Sequence, residues 1–252
     1  MTVRLEPEGD ARVVVVDRPE RRHALDLASL REIAAIAREL RADRAARGVV
    51  LASTPGVGVF LSGGDLQELA EVKTARGARE FAALAARAWD GLLALGVPVV
   101  AAVSGDTFGG GCEAAAACDY RVVDRTSRFQ WVQSRFAITT GWGGAANLLG
   151  LVPRGVATRW LLAATPVSAQ EALDAGFADE LVDEGHARAR AVAFVHEVAR
   201  SPRSGVTRML RLLRESQGLS RNDARRLERK HFARSWASSE HHEAVRRFLT
   251  RR

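Results

Sequence analysis

The chain has 252 residues, of which 47% are hydrophobic and 27% charged, and this balance excludes a disordered tail. A chain of this length can build an ordinary core without disulfides or a structural metal. Its two cysteines, Cys112 and Cys118, offer neither a disulfide framework nor a thiol-rich metal site, which favours a reducing compartment. The sequence shows no signal-peptide core and no run near the roughly 18 apolar residues of a spanning helix, so we predict a cytoplasmic protein without membrane contact.

The formal net charge of +7 is unevenly distributed. Residues 200–252 hold 15 Lys and Arg against 5 Asp and Glu, a net +10, whereas residues 1–199 carry a net −3. Of the 37 cationic residues only Lys73 and Lys230 are lysines, which together with the abundant alanine indicates a genome-wide compositional bias. The charge is therefore weak evidence for an anionic partner, either nucleic acid or a small phosphorylated molecule.

Strands, glycine-rich loops and amphipathic helices follow one another in the first half of the chain. Two successive units of strand, glycine loop and helix indicate an α/β fold. In chain order we predict a strand at Arg12–Asp17, a helix at Leu25–Leu40, a strand at Val49–Ala52, a loop at Ser53–Gly64, a helix at Ala75–Leu95, a strand at Val97–Val103, a loop at Gly105–Gly111 and an apolar segment at Cys112–Cys118.

From Gly143 onward the pattern is almost entirely helical, and only Ala178–Val182 reads as a strand. The arginine-rich helices begin near residue 200, so we predict a boundary there between an α/β core of residues 1–199 and a basic helical module of residues 200–252. The predicted helices are Ala145–Leu151, Arg154–Ala163, Ser168–Ala175, Gly185–Arg200, Val206–Leu213, Asn222–Trp236 and His241–Leu249.

Two glycine loops carry the clearest chemical signal. Phe60–Leu66 and Gly109–Glu113 each end a loop and start a helix. Glycine lets backbone N–H groups approach a ligand closely, and the first turn of a helix leaves N–H donors unpaired. Two such loops facing each other would form a paired-donor site for an oxyanion.

Five segments, in order, resemble the crotonase family, which is also called the enoyl-CoA hydratase/isomerase superfamily. They are VFLSGGDL, VSGDTFGGGCEAAAACDYRV, GWGGAANL, TPVSAQEALDAGFADELV and HHEAVRRFLTRR. The resemblance implies an α/β, ClpP/crotonase-like spiral of ββα units, a C-terminal helical trimerisation region and a homotrimer or dimer of trimers. It also implies an acyl-CoA thioester substrate and no metal or further cofactor, since coenzyme A is part of the substrate.

By the same resemblance the oxyanion-binding amides belong to Gly64 and Gly110. Family hydratases use two glutamates; Glu113 matches the first, and Gln133 stands where the second is expected. Glutamine can hydrogen-bond a water or a substrate group but cannot exchange a proton near neutral pH, which argues against hydration by two carboxylates.

Two reactions remain open. We favour decarboxylation of a short malonyl-type CoA thioester, which needs an oxyanion hole but no general base, because Trp131, Val132 and the block Trp142–Gly144 are similar to the ethylmalonyl/methylmalonyl-CoA decarboxylase branch of the family. The alternative is hydration or isomerisation of an enoyl-CoA with Glu113 as the only carboxylate. Trp142 fits a wall of the acyl pocket and ordinary core packing equally well.

By the resemblance, coenzyme A is expected to lie against the main chain of Arg22–Leu25 and of Leu61–Leu66. Alternatives from another class are an RNA-binding homologue and a non-catalytic subunit. Nucleic-acid binding is disfavoured because the arginines alternate with apolar residues at helical spacing and form no aromatic platform. The predicted substrate-binding residues are Arg22, Ala24, Leu25, Leu61, Ser62, Asp65, Leu66, Trp131 and Trp142.

Overall fold

A computed structural model describes residues 2–250 of the chain. The strands are β1 (Val3–Glu8), β2 (Ala11–Val16), β3 (Gly48–Ser53), β4 (Val59–Leu61), β5 (Val99–Val103), β6 (Asp106–Phe108), β7 (Tyr120–Asp124), β8 (Arg128–Gln130), β9 (Val167–Ser168) and β10 (Glu180–Val182). The α-helices are α1 (Leu27–Leu40), α2 (Leu66–Leu69), α3 (Ala75–Leu93), α4 (Gly110–Ala117), α5 (Gly144–Leu151), α6 (Arg154–Ala163), α7 (Ala169–Asp174), α8 (Ala187–Ala199), α9 (Arg203–Ser216), α10 (Arg221–Trp236) and α11 (Ser239–Thr250). Pro19–Arg21 and Val132–Phe136 form short 3₁₀ helices.

The strands divide between two sheets in a repeating manner. One sheet has six strands in the order β1-β2-β3-β5-β7-β10, and the other has four in the order β4-β6-β8-β9. Each of the pairs β3/β4, β5/β6 and β7/β8 places its first strand in the larger sheet and its second in the smaller one. This arrangement confirms the predicted α/β fold, a spiral of strand–strand–helix turns.

The structure contains strands that the sequence pattern did not reveal. β1 pairs with β2 in antiparallel register, with Val3 opposite Val16. Its run Val-Arg-Leu-Glu-Pro-Glu alternates apolar and polar residues, but it is short and contains Pro7, which weakens it as a strand signal. β4, β6 and β8 have three residues each, which is too short for a period of two to be recognised. The smaller sheet was therefore not predicted.

Both faces of the larger sheet are buried. Val13 and Val15 of β2 pack with Val195 of α8, and Val14 and Val16 lie in the core that also contains α1. Parallel strands that are buried on both faces read as nearly continuous apolar runs, which explains the sequence of β2.

The last three helices differ from the core. Within residues 2–250, α9, α10 and α11 contain no buried residue. α9 is attached by polar contacts: Arg214 forms two hydrogen bonds to Asp119, of 2.8 and 2.6 Å, and the Thr207 hydroxyl donates to the Gly96 carbonyl at 2.6 Å. The domain boundary near residue 200 stays a prediction. Among the described helices, none is long and apolar enough to cross a membrane.

Candidate active site

The two glycine loops lie against each other. β4 and β6 pair in parallel, so the loops that follow them meet at the same edge of the smaller sheet. A Cβ on Gly63 would lie 2.9 Å from the Gly110 nitrogen, and a Cβ on Gly111 would lie 2.3 Å from the Leu61 carbonyl oxygen. Gly63 also has a φ of +96°, which L side chains rarely adopt. Glycine is therefore required for this close approach.

Two backbone amides at this junction have no partner in the described part of the chain. The N–H groups of Gly64 and Gly110 donate no hydrogen bond to residues 2–250. Gly110 is the first residue of α4, so its amide points out of the helix at the positive end of the helix dipole. Both amides are therefore available to a ligand, and their role as paired oxyanion donors stays a prediction.

Glu113 lies one turn into α4 and is only 3% exposed. Its Oε1 accepts hydrogen bonds from Gln133 Nε2 at 2.9 Å and from the Gly141 amide at 3.3 Å. Its Oε2 accepts from the amides of Trp142 at 2.7 Å and Gly144 at 2.9 Å. Four N–H donors thus hold the carboxylate in one position.

The loop before α5 is built around this carboxylate. Gly144 opens α5, and a Cβ there would lie 2.4 Å from Cγ of Glu113. Gly143 has a φ of +90°, so the turn that aims the amides at Glu113 uses a left-handed glycine. Cys112, which precedes Glu113, is fully buried, and burial raises the pKa of its thiol well above the usual range. The thiol is therefore not a nucleophile at neutral pH.

Gln133 has a defined orientation. Because a carboxylate oxygen accepts hydrogen bonds, the amide must present Nε2 to Glu113, which leaves Oε1 on its other side. Gln133 is 7% exposed, and Oε1 is buried without a hydrogen-bond partner in the described residues. A buried acceptor without a donor is costly, so Oε1 is a position at which a donor from a ligand or a water would be favoured.

Trp142 contacts both glycine positions with its indole. A Cβ on Gly110 would lie 2.5 Å from Cζ3 of Trp142, and one on Gly64 would lie 3.6 Å from its Cζ2. The indole is 6% exposed and packs against Phe81 and Trp89, with ring centroids 5.8 and 6.3 Å away. The side chain is therefore packed in the core and lies at the candidate site as well.

The two predicted coenzyme A segments are hydrogen-bonded to each other. The Leu25 amide donates to the Gly63 carbonyl at 2.7 Å, and the Asp65 amide donates to the Leu25 carbonyl at 3.0 Å. Arg22 has a φ of +52°, and its guanidinium carbon lies 5.3 Å from the Phe108 ring centroid. Ala24 and Leu61 are buried, whereas Leu66 is 57% exposed and Ser62 donates weakly, at 3.4 Å, to the Arg21 carbonyl.

A buried arginine that the sequence did not single out holds this region together. Arg18 is 8% exposed and pairs with Asp26 at 3.0 Å and Asp65 at 3.2 Å, and it also donates to the Ala24 carbonyl at 2.5 Å. Asp65 caps α2 by accepting from the Gln67 amide. The side chain of Asp65 is thus engaged in structural contacts.

His23 lies beside Arg18 and is completely buried. Its Nδ1 accepts from the Arg18 amide at 3.1 Å, so Nε2 carries the proton toward the Thr54 carbonyl at 3.0 Å. Burial is the main cause that lowers the pKa of His23 below its usual value. His23 also has a φ of +55°, which adds local strain.

Trp131 is the predicted substrate-binding residue that the structure does not bring to this junction. Its side chain is fully buried and packs edge-on against Phe177, with ring centroids 6.1 Å apart. Phe177 also contacts Phe129 and Trp160, which places Trp131 in a separate aromatic cluster of the core. The sequence analysis did not single out Phe81 or Trp89, and it used Gly144 only as part of the block Trp142–Gly144, without predicting its contact with Glu113.

Comparisons with known proteins identify the family and the fold. A family model described as Enoyl-CoA hydratase/isomerase matches residues 8–252. The chain is 35% identical over 179 residues to a short-chain-enoyl-CoA hydratase of Clostridium acetobutylicum, covering 71% of this chain and 68% of the relative. It is 28% identical over 241 residues to the 2,3-dehydroadipyl-CoA hydratase of Escherichia coli, covering 95% and 92%. The solved structure of Pseudomonas aeruginosa DspI superposes with a TM-score of 0.91 at 27% identity, covering 100% of this chain and 95% of that one.

Proposed function

Because the chain belongs to the enoyl-CoA hydratase/isomerase family, we propose that it adds water across the double bond of a 2-enoyl-CoA thioester. The curated relatives described above are named as hydratases, which supports hydration over the decarboxylation that the sequence favoured. In this proposal the Gly64 and Gly110 amides receive the thioester oxygen and Glu113 moves the proton.

The free amides support the first half of the reaction. When a nucleophile adds to C3 of an enoyl thioester, negative charge develops on the thioester oxygen. The N–H groups of Gly64 and Gly110 have no internal partner and lie in adjacent loops, so they can donate to that oxygen without breaking another hydrogen bond. Donors that are held in place favour the enolate over the neutral thioester.

Glu113 supports the proton transfers. Its carboxylate takes a proton from the attacking water, the water oxygen bonds to C3, and the same carboxyl returns the proton to C2 of the enolate. Atoms balance with no other reagent. A carboxylate has about four acceptor positions, and four N–H donors occupy them. The water would therefore replace the weakest donor, the Gly141 amide at 3.3 Å.

The orientation of Gln133 is the observation that carries the choice of reaction. The Glu113 carboxylate and Gln133 Oε1 are both hydrogen-bond acceptors. A water or a product hydroxyl can donate to them, so such a group is favoured at this position. The free carboxylate of a malonyl-type thioester is itself an acceptor and would face an acceptor and a negative charge there. Both features favour hydration over decarboxylation.

The test is parallel incubation with crotonyl-CoA, methylmalonyl-CoA and ethylmalonyl-CoA, with product masses followed in ¹⁸O-labelled water. We expect the crotonyl thioester to gain one labelled water and both malonyl thioesters to persist. Loss of CO₂ from the malonyl thioesters, with crotonyl-CoA unchanged, would contradict hydration. A Glu113→Gln sample run beside the natural protein identifies the product that depends on this site.

We also propose the assembly that the resemblance implies, a homotrimer or a dimer of trimers. The support is the exposure of large apolar side chains on the terminal helices: Met209 and Leu213 of α9 and Phe232 and Trp236 of α10 are 56–62% exposed. Exposed apolar surface of this kind is typical of protein interfaces. Sedimentation equilibrium tests this proposal, and a species of one-chain mass at micromolar concentration would contradict it.

A further inference from the structure

Trp142 connects the parts of the candidate site through one residue. Its main-chain amide donates to Glu113 Oε2 at 2.7 Å, and its indole lies against the positions of Gly110 and Gly64. If a thioester oxygen binds between the two glycine amides and C2 and C3 lie within reach of Glu113, the acyl chain must run along this indole. This step rests on the proposed function.

The indole has little freedom to move aside. It is 6% exposed, and it is backed by Phe81 edge-on and by Trp89, which is 4% exposed and belongs to the long helix α3. Close-packed interiors do not yield to an added side chain or ligand without a cost. Carbons beyond those that reach Glu113 would therefore meet a rigid aromatic wall.

The wall also has a chemical preference. The rings of Trp142, Phe81 and Trp89 offer apolar faces and no positive charge to a terminal carboxylate. The Nε1–H of Trp89 is buried without a partner in the described residues, but it is a neutral donor and cannot compensate a full negative charge. Burying a carboxylate against such a surface without a partner is strongly unfavourable. An acyl chain with an uncharged end should therefore bind favourably against these rings, whereas the terminal carboxylate of a dicarboxylic chain such as dehydroadipyl should bind unfavourably.

From these contacts we infer that Trp142 sets the substrate range of this protein and restricts it to short, uncharged 2-enoyl-CoA thioesters. The residue acts through the volume of its indole. Replacing the side chain leaves the main-chain N–H to Glu113 in place, so chain-length selection is separable from the proton transfer.

The experiment measures kcat/KM for crotonyl-, 2-hexenoyl-, 2-octenoyl- and 2-decenoyl-CoA, and for 2,3-dehydroadipyl-CoA. For the natural protein we expect kcat/KM to fall with each lengthening and to be lowest for the dicarboxylic substrate. Trp142→Ala should raise the decenoyl-to-crotonyl ratio by roughly fourfold for each methylene that enters the new space. Trp142→Phe, which removes less volume, should give a smaller rise and serves if the alanine variant does not fold.

Trp160→Phe is the matched control, because Trp160 is also a buried tryptophan but lies in the separate ring cluster around Phe177. It should keep the natural chain-length ratio. A folded Trp142 variant with an unchanged ratio, or a natural protein that accepts decenoyl-CoA as well as crotonyl-CoA, would overturn the inference.

A failure of the proposed function would be seen separately, as the absence of hydration of any chain length by the natural protein. The inference is then tested by binding alone, using calorimetry with butyryl-CoA and decanoyl-CoA. A preference for butyryl-CoA that Trp142→Phe weakens would support it, and an unchanged preference would overturn it.

Discussion

The acyl end and the thioester end of the candidate site are built in different ways. At the acyl end, side chains determine the chemistry: Glu113 is held by four donors, Gln133 presents one buried acceptor, and Trp142 fills the space beside them. At the thioester end, the proposed functional groups are the main-chain amides of Gly64 and Gly110, which donate no hydrogen bond to the described residues. Substitution of Glu113 or Gln133 should therefore change the chemistry at the acyl end and leave the main-chain donors of the thioester end in place.

The difference also separates specificity from catalysis. Backbone donors recognise a thioester oxygen whatever acyl group is attached, because they contact only the part that all such substrates share. The acyl end contacts the part that varies. Each prediction below changes one end while the other serves as the reference.

The largest effect is expected at Glu113. In Glu113→Gln the side chain keeps its shape but cannot carry the proton, so kcat for crotonyl-CoA hydration should fall about 10³-fold. Steady-state kinetics measures this loss. Glu171→Gln is the matched control, since Glu171 is an exposed capping residue of α7. A loss below tenfold in a folded variant would assign Glu113 a purely structural role.

At the thioester end, Gly64 allows a test of the amide itself. Gly64→Pro removes the N–H, and we expect kcat to fall roughly 10²- to 10³-fold. Gly64→Ala introduces a Cβ at the same place, 2.6 Å from the flexible end of Leu69, but keeps the N–H. Its rate should stay within a few-fold of the natural protein. An equal loss of kcat in both variants would show that the absence of a side chain at position 64 is what matters, and that its N–H donor is not.

Gln133→Glu changes the balance at the acyl end. Two carboxyl groups at the 2.9 Å spacing of Gln133 and Glu113 cannot both ionise, so one keeps its proton at neutral pH. We expect a bell-shaped pH dependence of kcat and a rate change of several-fold, because an acid and a base are then present together. Gln130→Glu, at a side chain that donates to the Ala164 carbonyl, controls for the substitution itself.

The smallest effect concerns the support of the thioester end. Burial lowers the pKa of His23, so the unfolded chain binds a proton more readily than the folded one. The free energy of unfolding should then fall as the pH drops below about 6.5, and level off once the pH is below the folded-state pKa. Thermal unfolding between pH 7.5 and pH 5 measures this loss, which we expect to be a few degrees.

His23→Asn removes the titrating group, so its unfolding temperature should depend less on pH over the same range. His186→Asn, at an exposed position, should behave as the natural protein does. A natural protein whose unfolding temperature is the same at pH 5 and pH 7.5 would contradict a buried, neutral His23.

Features that depend on local sequence were predictable. The glycine loops, the helix that starts at Gly110 and the position of Glu113 follow from turn chemistry and from motif order, and the structure brings them together. The alternation of strands and helices gave the fold class. The three-residue strands of the smaller sheet were missed because they are too short to show a period.

Features that depend on tertiary contact were not predictable. Trp131 and Trp142 are both tryptophans next to candidate site residues, yet Trp131 packs against Phe177 and Trp142 packs against Gly64 and Gly110. Nothing local distinguishes them. Likewise, the pairing of Arg18 with Asp65 joins positions 47 residues apart, and a lone arginine after a strand gives no sign of it.

The contact between Gly144 and Glu113 has an evolutionary consequence. With a Cβ at position 144 only 2.4 Å from Cγ of the glutamate, the two positions cannot vary independently. A descendant that acquires any larger residue at 144 must displace the carboxylate, and one that loses the carboxylate frees position 144 to drift. In a saturation library of both positions selected for turnover, the variants that keep glutamate at 113 should therefore also keep glycine at 144.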